Sequence, residues 1–584
     1  MPPIFNPETN TTLIGLVLLI LVIAIPLAAL ASIGFIALYR RAVVRTMRNR
    51  ANLEPTEPAP IMESAEFHPE RAQAPLSMTI LDSATGTPKE TAPVGLYTDL
   101  LRGPWRAAAI YAVAGLCYAF VTTLLFLRAT KTEFHPLSFL LIFWYYAWPV
   151  PVTVSLVAAA TRRTKLKIFA GYFLLVIVLG LISAAVNSSV SLLEILGLWF
   201  LTNFPASVLL LAFLNRRVQA VGPLVLTFMI LAVTGLVLMP TFVINNGGLL
   251  EVVVSVGVAL GLGGAGIYNA LLILGFVTFG ALGWLALQAI SYWYRRKNIS
   301  EQSITIDVIW LLFGIFQAVG LIFEGDHWFL ASLLSFGIYK GVAWAGFWLA
   351  RRYAPSKQHD PTLLVLRVFS LGKRSERLFD TLALHWRFVG SIRLIAGPDL
   401  AATTIEPHEF LDFVSGKLAR RFIDSGQTLA LRLSQMDLLP DFDGQFRVND
   451  FFCYDDTWRM VLSRLARESD VVMMDLRGFS SQNAGVIYEI GELINLVPLE
   501  RVVFIVDDST DEPFLRQVMQ QAWDQMKPES PNRASASGTL SLFRLKQLGE
   551  RDLQRLLHVI AEAVHPAPEI QAMTGSSASS LTSS

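Results

Sequence analysis

The sequence predicts an α-helical transmembrane bundle of about nine crossings, followed by an α/β domain with a mostly parallel, doubly wound sheet. Three observations carry this expectation. The 584 residues are 53% hydrophobic and only 16% charged, where soluble globular chains carry about 25% charged residues. Up to residue 350 the apolar runs reach membrane length. Beyond Arg351 and Arg352 they shorten to strand length and alternate with amphipathic helical stretches, the pattern of strands covered on both faces by crossover helices.

Composition excludes a purely soluble enzyme, a disordered scaffold and a secreted disulfide protein. The two cysteines, Cys117 and Cys453, are too few for a disulfide framework or a thiolate metal site. His385, His408 and His558 lie scattered on predicted helices without ligand spacing, so no metal site is expected. The net charge of +1 hides an asymmetry: residues 355–570 hold 24 Lys+Arg against 30 Asp+Glu, and the basic excess belongs to the apolar part. An acidic soluble region speaks against nucleic acid as a partner.

Residues 1–40 read as a transmembrane anchor. The run Leu13–Tyr39 follows a segment without Lys or Arg and precedes RRAVVRTMRNR. A cleaved signal peptide has the reverse order, so the N-terminus is expected outside and Arg40 to Arg50 in the cytoplasm. Residues 41–106 form a cytoplasmic Pro-rich linker, expected to be a flexible tether apart from SMTILDS, a short piece of strand or docking character.

Residues 107–350 form the bundle, with spans Ala107–Leu127, Pro136–Ala160, Ile168–Val186, Leu192–Leu214, Val221–Ile244, Leu271–Tyr294, Ile306–Phe323 and Trp328–Ala350. The further run Leu249–Ile267 is short and Gly-rich and carries Glu251 near its start, which suits a re-entrant or surface-lying segment. If 249–294 makes one net crossing, Arg295, Arg296, Lys297, Arg351, Arg352 and the C-terminal domain all fall in the cytoplasm, as the positive-inside rule asks.

Lys340 sits mid-span, where an unpaired charge costs several kcal/mol. Its candidate partners are Glu251, Asp307 and Glu194. Two readings stand: an ion or substrate path, or a structural pair or water pocket. No second polar residue repeats Lys340 along its helix face, and no paired broken helices mark a transporter repeat. Trp144, Tyr145, Tyr146 and Trp148, beside Pro149 and Pro151, read as an interface belt and a kink.

After a linker at 351–362, residues 363–566 form the α/β domain, and 567–584 a small, polar, disordered tail. Strands are expected at Leu363–Phe369, Ser391–Ala396, Leu429–Leu433, Asp470–Leu476, Arg501–Val506 and Leu540–Leu545, with helices between them, His408–Ile423 and Ala484–Leu496 included. Ligands of such sheets bind at the carboxyl ends of the strands. The candidate nucleotide-binding residues are therefore Phe369 and Ser370 after the first strand, Asp475 and Arg477 after DVVMMDL, and Asn483 and Gly485 at the next helix start. Neither GxGxxG nor GxxxxGK[ST] occurs at these turns. Asp475 reads first as a cap of its own turn, and Trp458 as packing between helix and sheet. Glu489 falls on the edge of the apolar stripe Val486, Ile490, Leu493 and Ile494, where burial raises a carboxyl pKa and the helix N-terminus lowers it.

The stretch SSQNAGVIYEIGELINLVPLERVVFIVDD at 480–508, with the Asp-terminated strand before it, is a polar loop, a Gly and a Glu-Ile pair on a helix leading into another buried strand. Over about 40 residues, 468–508, it resembles the TIR domain and the nucleoside deoxyribosyltransferase group. The resemblance implies that Glu489 is catalytic, attacking or stabilising the anomeric carbon while an N-glycosidic bond breaks. It implies NAD or a related nucleotide as substrate, with no cofactor bound, or signalling by self-association as a homo-oligomer. Besides that ligand, the expected partner is the lipid bilayer. The alternative is a transporter or channel regulated by a non-catalytic ligand-binding or scaffold domain.

Overall fold

The computed structural model describes residues 23–49, 76–82, 94–131, 134–158, 160–186, 191–213, 216–322, 326–353, 359–367, 373–396, 405–534, 538–546 and 548–564. The expected flexible part of the linker at 51–75 and the tail at 567–584 lie outside these residues.

Among the described residues six helices are long and apolar enough to cross a membrane: Ile25–Met47, Gly95–Ala129, Arg162–Val186, Val221–Ile244, Gly264–Arg295 and Leu333–Arg352. The pair Pro136–Tyr146 and Pro149–Val157, bent by 43°, brings the number to seven. The bend falls where Pro149 and Pro151 open the second helix, since proline lacks the N–H that would continue the first. These helices turn large apolar side chains outward, among them Leu30, Leu174, Ile273 and Val277, which suits an integral membrane protein because lipid is as apolar a surrounding as leucine.

Two expectations for this region change, and the Gly-rich run gains detail. Tyr145 and Tyr146 are buried, and Trp144 stacks on Tyr172 while Trp148 meets Trp199 edge-on at 5.2 Å. The aromatic cluster is thus an internal seam rather than an interface belt. The run Leu249–Ile267 is split: a 13-residue helix Gly247–Ala259 ends in a turn at Gly261, whose φ of 75° favours glycine, and Gly264 opens the next long helix. The N-terminal helix continues through Arg40 and Arg41 to Asn49.

All eight strands of the sheet pair in parallel. They are β1 Leu76–Asp82, β2 Thr362–Arg367, β3 Ser391–Ala396, β4 Phe422–Ile423, β5 Val448–Cys453, β6 Val471–Asp475, β7 Val502–Val506 and β8 Gly538–Arg544, in the order β1-β8-β7-β6-β2-β3-β5-β4. The central strands are buried from end to end, as their unbroken apolar runs require. One face packs on helices Trp458–Glu468, Ala484–Leu496 and Glu512–Asp524 through Val461, Ile490 and Met519. The other packs on Lys373–Trp386 and Glu550–Glu562 through Leu382 and Leu556.

SMTILD, for which strand or docking character was expected, lies in β1 and extends the sheet beside β8. The sequence misleads at three other places. The expected strand at 429–433 is part of a helix, Gly426–Ser434, opened by a Ser425/Thr428 capping box. Strand β5 lies where none was expected. The expected helix 408–423 is the short helix Pro407–Val414, a 3-10 turn and β4.

The α/β domain is seated on one end of the bundle. Phe35 and Tyr39 of the N-terminal helix meet Phe410 and Phe413 edge-on. The Tyr294 hydroxyl donates to Glu406 at 2.9 Å, Lys297 pairs with Asp437, and Ser300 donates to Asp443. Phe442 reaches from the domain to the ring of Phe347, 5.5 Å away, near the end of the last bundle helix.

Candidate functional site

A cavity of about 640 Å³ opens at the carboxyl ends of β3 and β5, where open α/β sheets bind their ligands. Ile395 and Ala396 close β3, and Cys453 closes β5. Trp458 borders it, and the first turns of helix Ala484–Leu496 form another wall with Asn483, Gly485, Val486 and Glu489. Val44 and Met47 complete the lining from the far end of the N-terminal helix.

Glu489 is brought there by helical period. Val486, Ile490, Leu493 and Ile494 must face the sheet, and Glu489 follows them inward to 4% exposure. Its Oε2 is buried without a hydrogen-bond partner. Burial pushes the carboxyl up to about 8, and the charge of Arg367 at the end of β2 only partly opposes this. At pH 7 this favours the neutral acid. Beside it Trp458 meets Tyr488 edge-on at 5.5 Å, with the Arg459 guanidinium 4.9 Å from the Tyr488 ring centre. The Cys453 thiol is pushed up to about 12 by burial, so it stays protonated and is no nucleophile.

The other candidates divide. Asn483 and Gly485 line the cavity, and the Asn483 side chain accepts from the Ser480 amide at 2.9 Å, fixing the loop. Asp475 and Arg477 do not line it. They hold each other in a buried two-point pair, both bonds 2.7 Å, with Ser375 donating to Asp475 at 3.1 Å. The Arg477 amide also donates to Asp475, closing the turn. Phe369 and Ser370 lie outside the described residues. Trp458, Cys453, Val44 and Met47 were not expected in a site. A correctly placed β5 would have marked Cys453, whereas nothing local marks the anchor residues.

In the bundle Lys340 Nζ meets Asp307 Oδ2 at 2.6 Å. Glu251 is exposed on the short helix and Glu194 accepts from the Ser191 amide of its own helix start, so neither is the Lys340 partner. Among the described residues no group of three or more His, Cys, Asp or Glu is arranged to hold a metal ion. A second cavity, of about 530 Å³, lies where Arg295 and Lys297 meet the domain. Its charges largely neutralise one another: Arg421 with Glu409 and Asp412, Arg447 with Asp437 and Asp441.

No protein-family model, curated protein or solved structure matches the chain.

Proposed function

We propose that the α/β domain cleaves the N-glycosidic bond of NAD or a related nucleotide, with Glu489 as the catalytic residue. The supporting observation is the buried Glu489 carboxyl, its Oε2 without a hydrogen-bond partner, on the wall of a ligand-sized cavity at the strand ends. A pyridinium or protonated base bound beside it favours the carboxylate and brings its pKa down, so the substrate itself ionises the group. As the C–N bond breaks, the base leaves with the bonding pair and an oxocarbenium centre develops, which the carboxylate stabilises or traps. Water then bonds to that carbon, the Glu489 carboxylate leaving with its bonding pair where it has trapped the centre, and the proton passes to solvent. Trp458, on the cavity wall, gives the base an aromatic neighbour.

The same reading makes the sheet doubly wound, with its switch point between β2 and β6, and the bundle nine crossings. The helices Leu192–Phe213 and Glu301–Ile322 join the seven spans above, with Gly247–Ala259 not crossing. Support comes from the helix ends: Arg40, Arg162, Arg216, Arg295 and Arg351 then all fall on the side that carries the domain, which the positive-inside rule makes cytoplasmic. The N-terminus is then outside.

The test is to incubate the purified full-length chain, in detergent, with NAD and to measure free nicotinamide. Release by the wild type that disappears in Glu489→Ala is expected. No release at high protein concentration, or equal release by both, defeats the proposal.

A further inference from the structure

The bundle buries more polar chemistry than its one ion pair uses. Tyr111, Tyr118 and Thr122 lie at i, i+7 and i+11 on helix Val94–Ala129, which keeps them near one face. Ser335 and Tyr339 lie one turn apart on helix Asp326–Arg352. All five are at most 1% exposed; the Tyr118 and Thr122 hydroxyls interact with each other, and those of Tyr111, Ser335 and Tyr339 have no hydrogen-bond partner. Between these helices stands Glu301–Ile322, whose Trp310 touches Tyr118 and Tyr339 with ring centres 5.0 and 5.1 Å apart. On the same helix Asp307 accepts from Lys340 Nζ at Oδ2, while its buried Oδ1 has no partner. At Gly314 an added Cβ would lie 3.1 Å from the Tyr118 oxygen, so glycine leaves that hydroxyl room.

An unmet buried polar group costs about 1–3 kcal/mol, and buried polar groups in proteins are ordinarily met by ordered water. Four such atoms on three touching helices, with the Tyr118–Thr122 pair among them, are therefore placed to hold ordered water. We infer that these hydroxyls and the Lys340–Asp307 pair line a water-filled proton path along the bundle, stopped at its domain end by Phe442. The Phe442 ring lies 5.7 Å from Lys340 Nζ and packs on Phe347, on the loop that ties the domain to the bundle. A lysine side chain among hydroxyls offers metal cations a poor ligand set. A hydroxyl or water instead accepts a proton on one side as it releases its own on the other, so nothing is consumed. Lys340 alone looked isolated because a sequence displays one helix face at a time, whereas this lane is assembled from three. The path rests on the crossing scheme proposed above but not on the chemistry at Glu489.

The test uses the full-length chain in phosphatidylcholine–phosphatidylglycerol vesicles with a trapped pH-sensitive dye. Potassium efflux through valinomycin drives protons inward. Phe442→Ala is expected to admit protons faster than the wild type. Adding the near-isosteric Tyr118→Phe and Thr122→Val to it returns the rate to that of empty vesicles and leaves the detergent gel-filtration profile unchanged. Proton entry no faster than in empty vesicles for both the wild type and Phe442→Ala overturns the inference. So does entry that the two hydroxyl deletions leave unaltered.

Discussion

The Arg447 guanidinium lies 3.5 Å from the centre of the Tyr294 ring, joining β5's leading edge to the last turn of a membrane-length helix. It donates to the Tyr294 carbonyl as well and pairs with Asp441 at 2.7 Å and Asp437 at 3.1 Å. One planar side chain thus meets a ring face, a carbonyl and two carboxylates across the junction. A lysine has one point of charge and no plane to stack.

Arg447→Ala leaves Asp441 buried beside an empty space, and breaking such a pair costs about 3–5 kcal/mol. The expected outcome is a lower Tm for the α/β domain in the full-length protein and faster proteolysis near residues 437–447. Arg447→Lys recovers only a minor part. Thermal unfolding of the three proteins in one detergent checks this, and a full rescue by lysine refutes the stacking argument.

Glu489 links stability to pH with a definite sign. Its folded pKa, about 8, lies above the ordinary value of 4.5, so the folded state binds the proton more tightly. The stabilisation is complete below about pH 4.5 and is lost as pH rises through 8. Glu489→Gln has no charge to bury. The variant is expected to gain on the wild type between these values, by at most about 1.4 kcal/mol per pH unit, and to hold a constant advantage above. Tm measured for both from pH 5 to 9 tests it, and a constant difference would mean the carboxyl is not buried. In the proposed reaction kcat/KM, which reports the free enzyme, rises toward pH 8 as the carboxylate forms.

Gly485 separates the cavity from the fold. Nothing lies within 4 Å of a Cβ added there, although the residue sits in a helix. Gly485→Ala is expected to keep or raise Tm, by up to about 1 kcal/mol of helix propensity. Gly485→Trp fills the space beside Glu489. It should fold, and it should lose nicotinamide release through a raised KM. Circular dichroism with initial-rate kinetics distinguishes this from unfolding.

How much of this was readable follows from where the signal lies. The central strands were legible because burial on both faces makes their apolar runs continuous, so Asp470–Leu476 and Arg501–Val506 overlay β6 and β7 closely. Strand β5 was not, because only Phe451–Cys453 is buried while Asn449 and Asp450 occupy its other half. The Asn449 side chain there exchanges bonds with Asp437 instead of packing. At 429–433 the alternating leucines imitate a strand, yet Leu431 is 55% exposed and a capping box decides for helix. Glu489 was legible since its own helix carries the stripe that buries it. Val44 and Met47 were not, because their part in the cavity depends on the N-terminal helix meeting the distant α/β domain.

The helix crossing with the closest approach gives a last expectation. At Gly235 of helix Arg216–Ile244 an added Cβ would lie 2.2 Å from the Gly275 carbonyl oxygen, and at Gly275 an added Cβ would lie 2.2 Å from that of Gly235. Backbone cannot yield as a side chain does, so the two helices touch only because both residues lack a Cβ. Lipid supplies no hydrophobic drive between helices, which leaves such close packing to hold them. Gly275→Leu therefore forces the pair apart, and overpacking of this kind costs about 1–3 kcal/mol or more. The expected result is a lower Tm and a broadened detergent gel-filtration peak, while Gly280→Ala, whose added Cβ meets nothing nearer than 3.7 Å, changes neither. Equal behaviour of the two variants would show that the Gly235–Gly275 contact does not hold the bundle together.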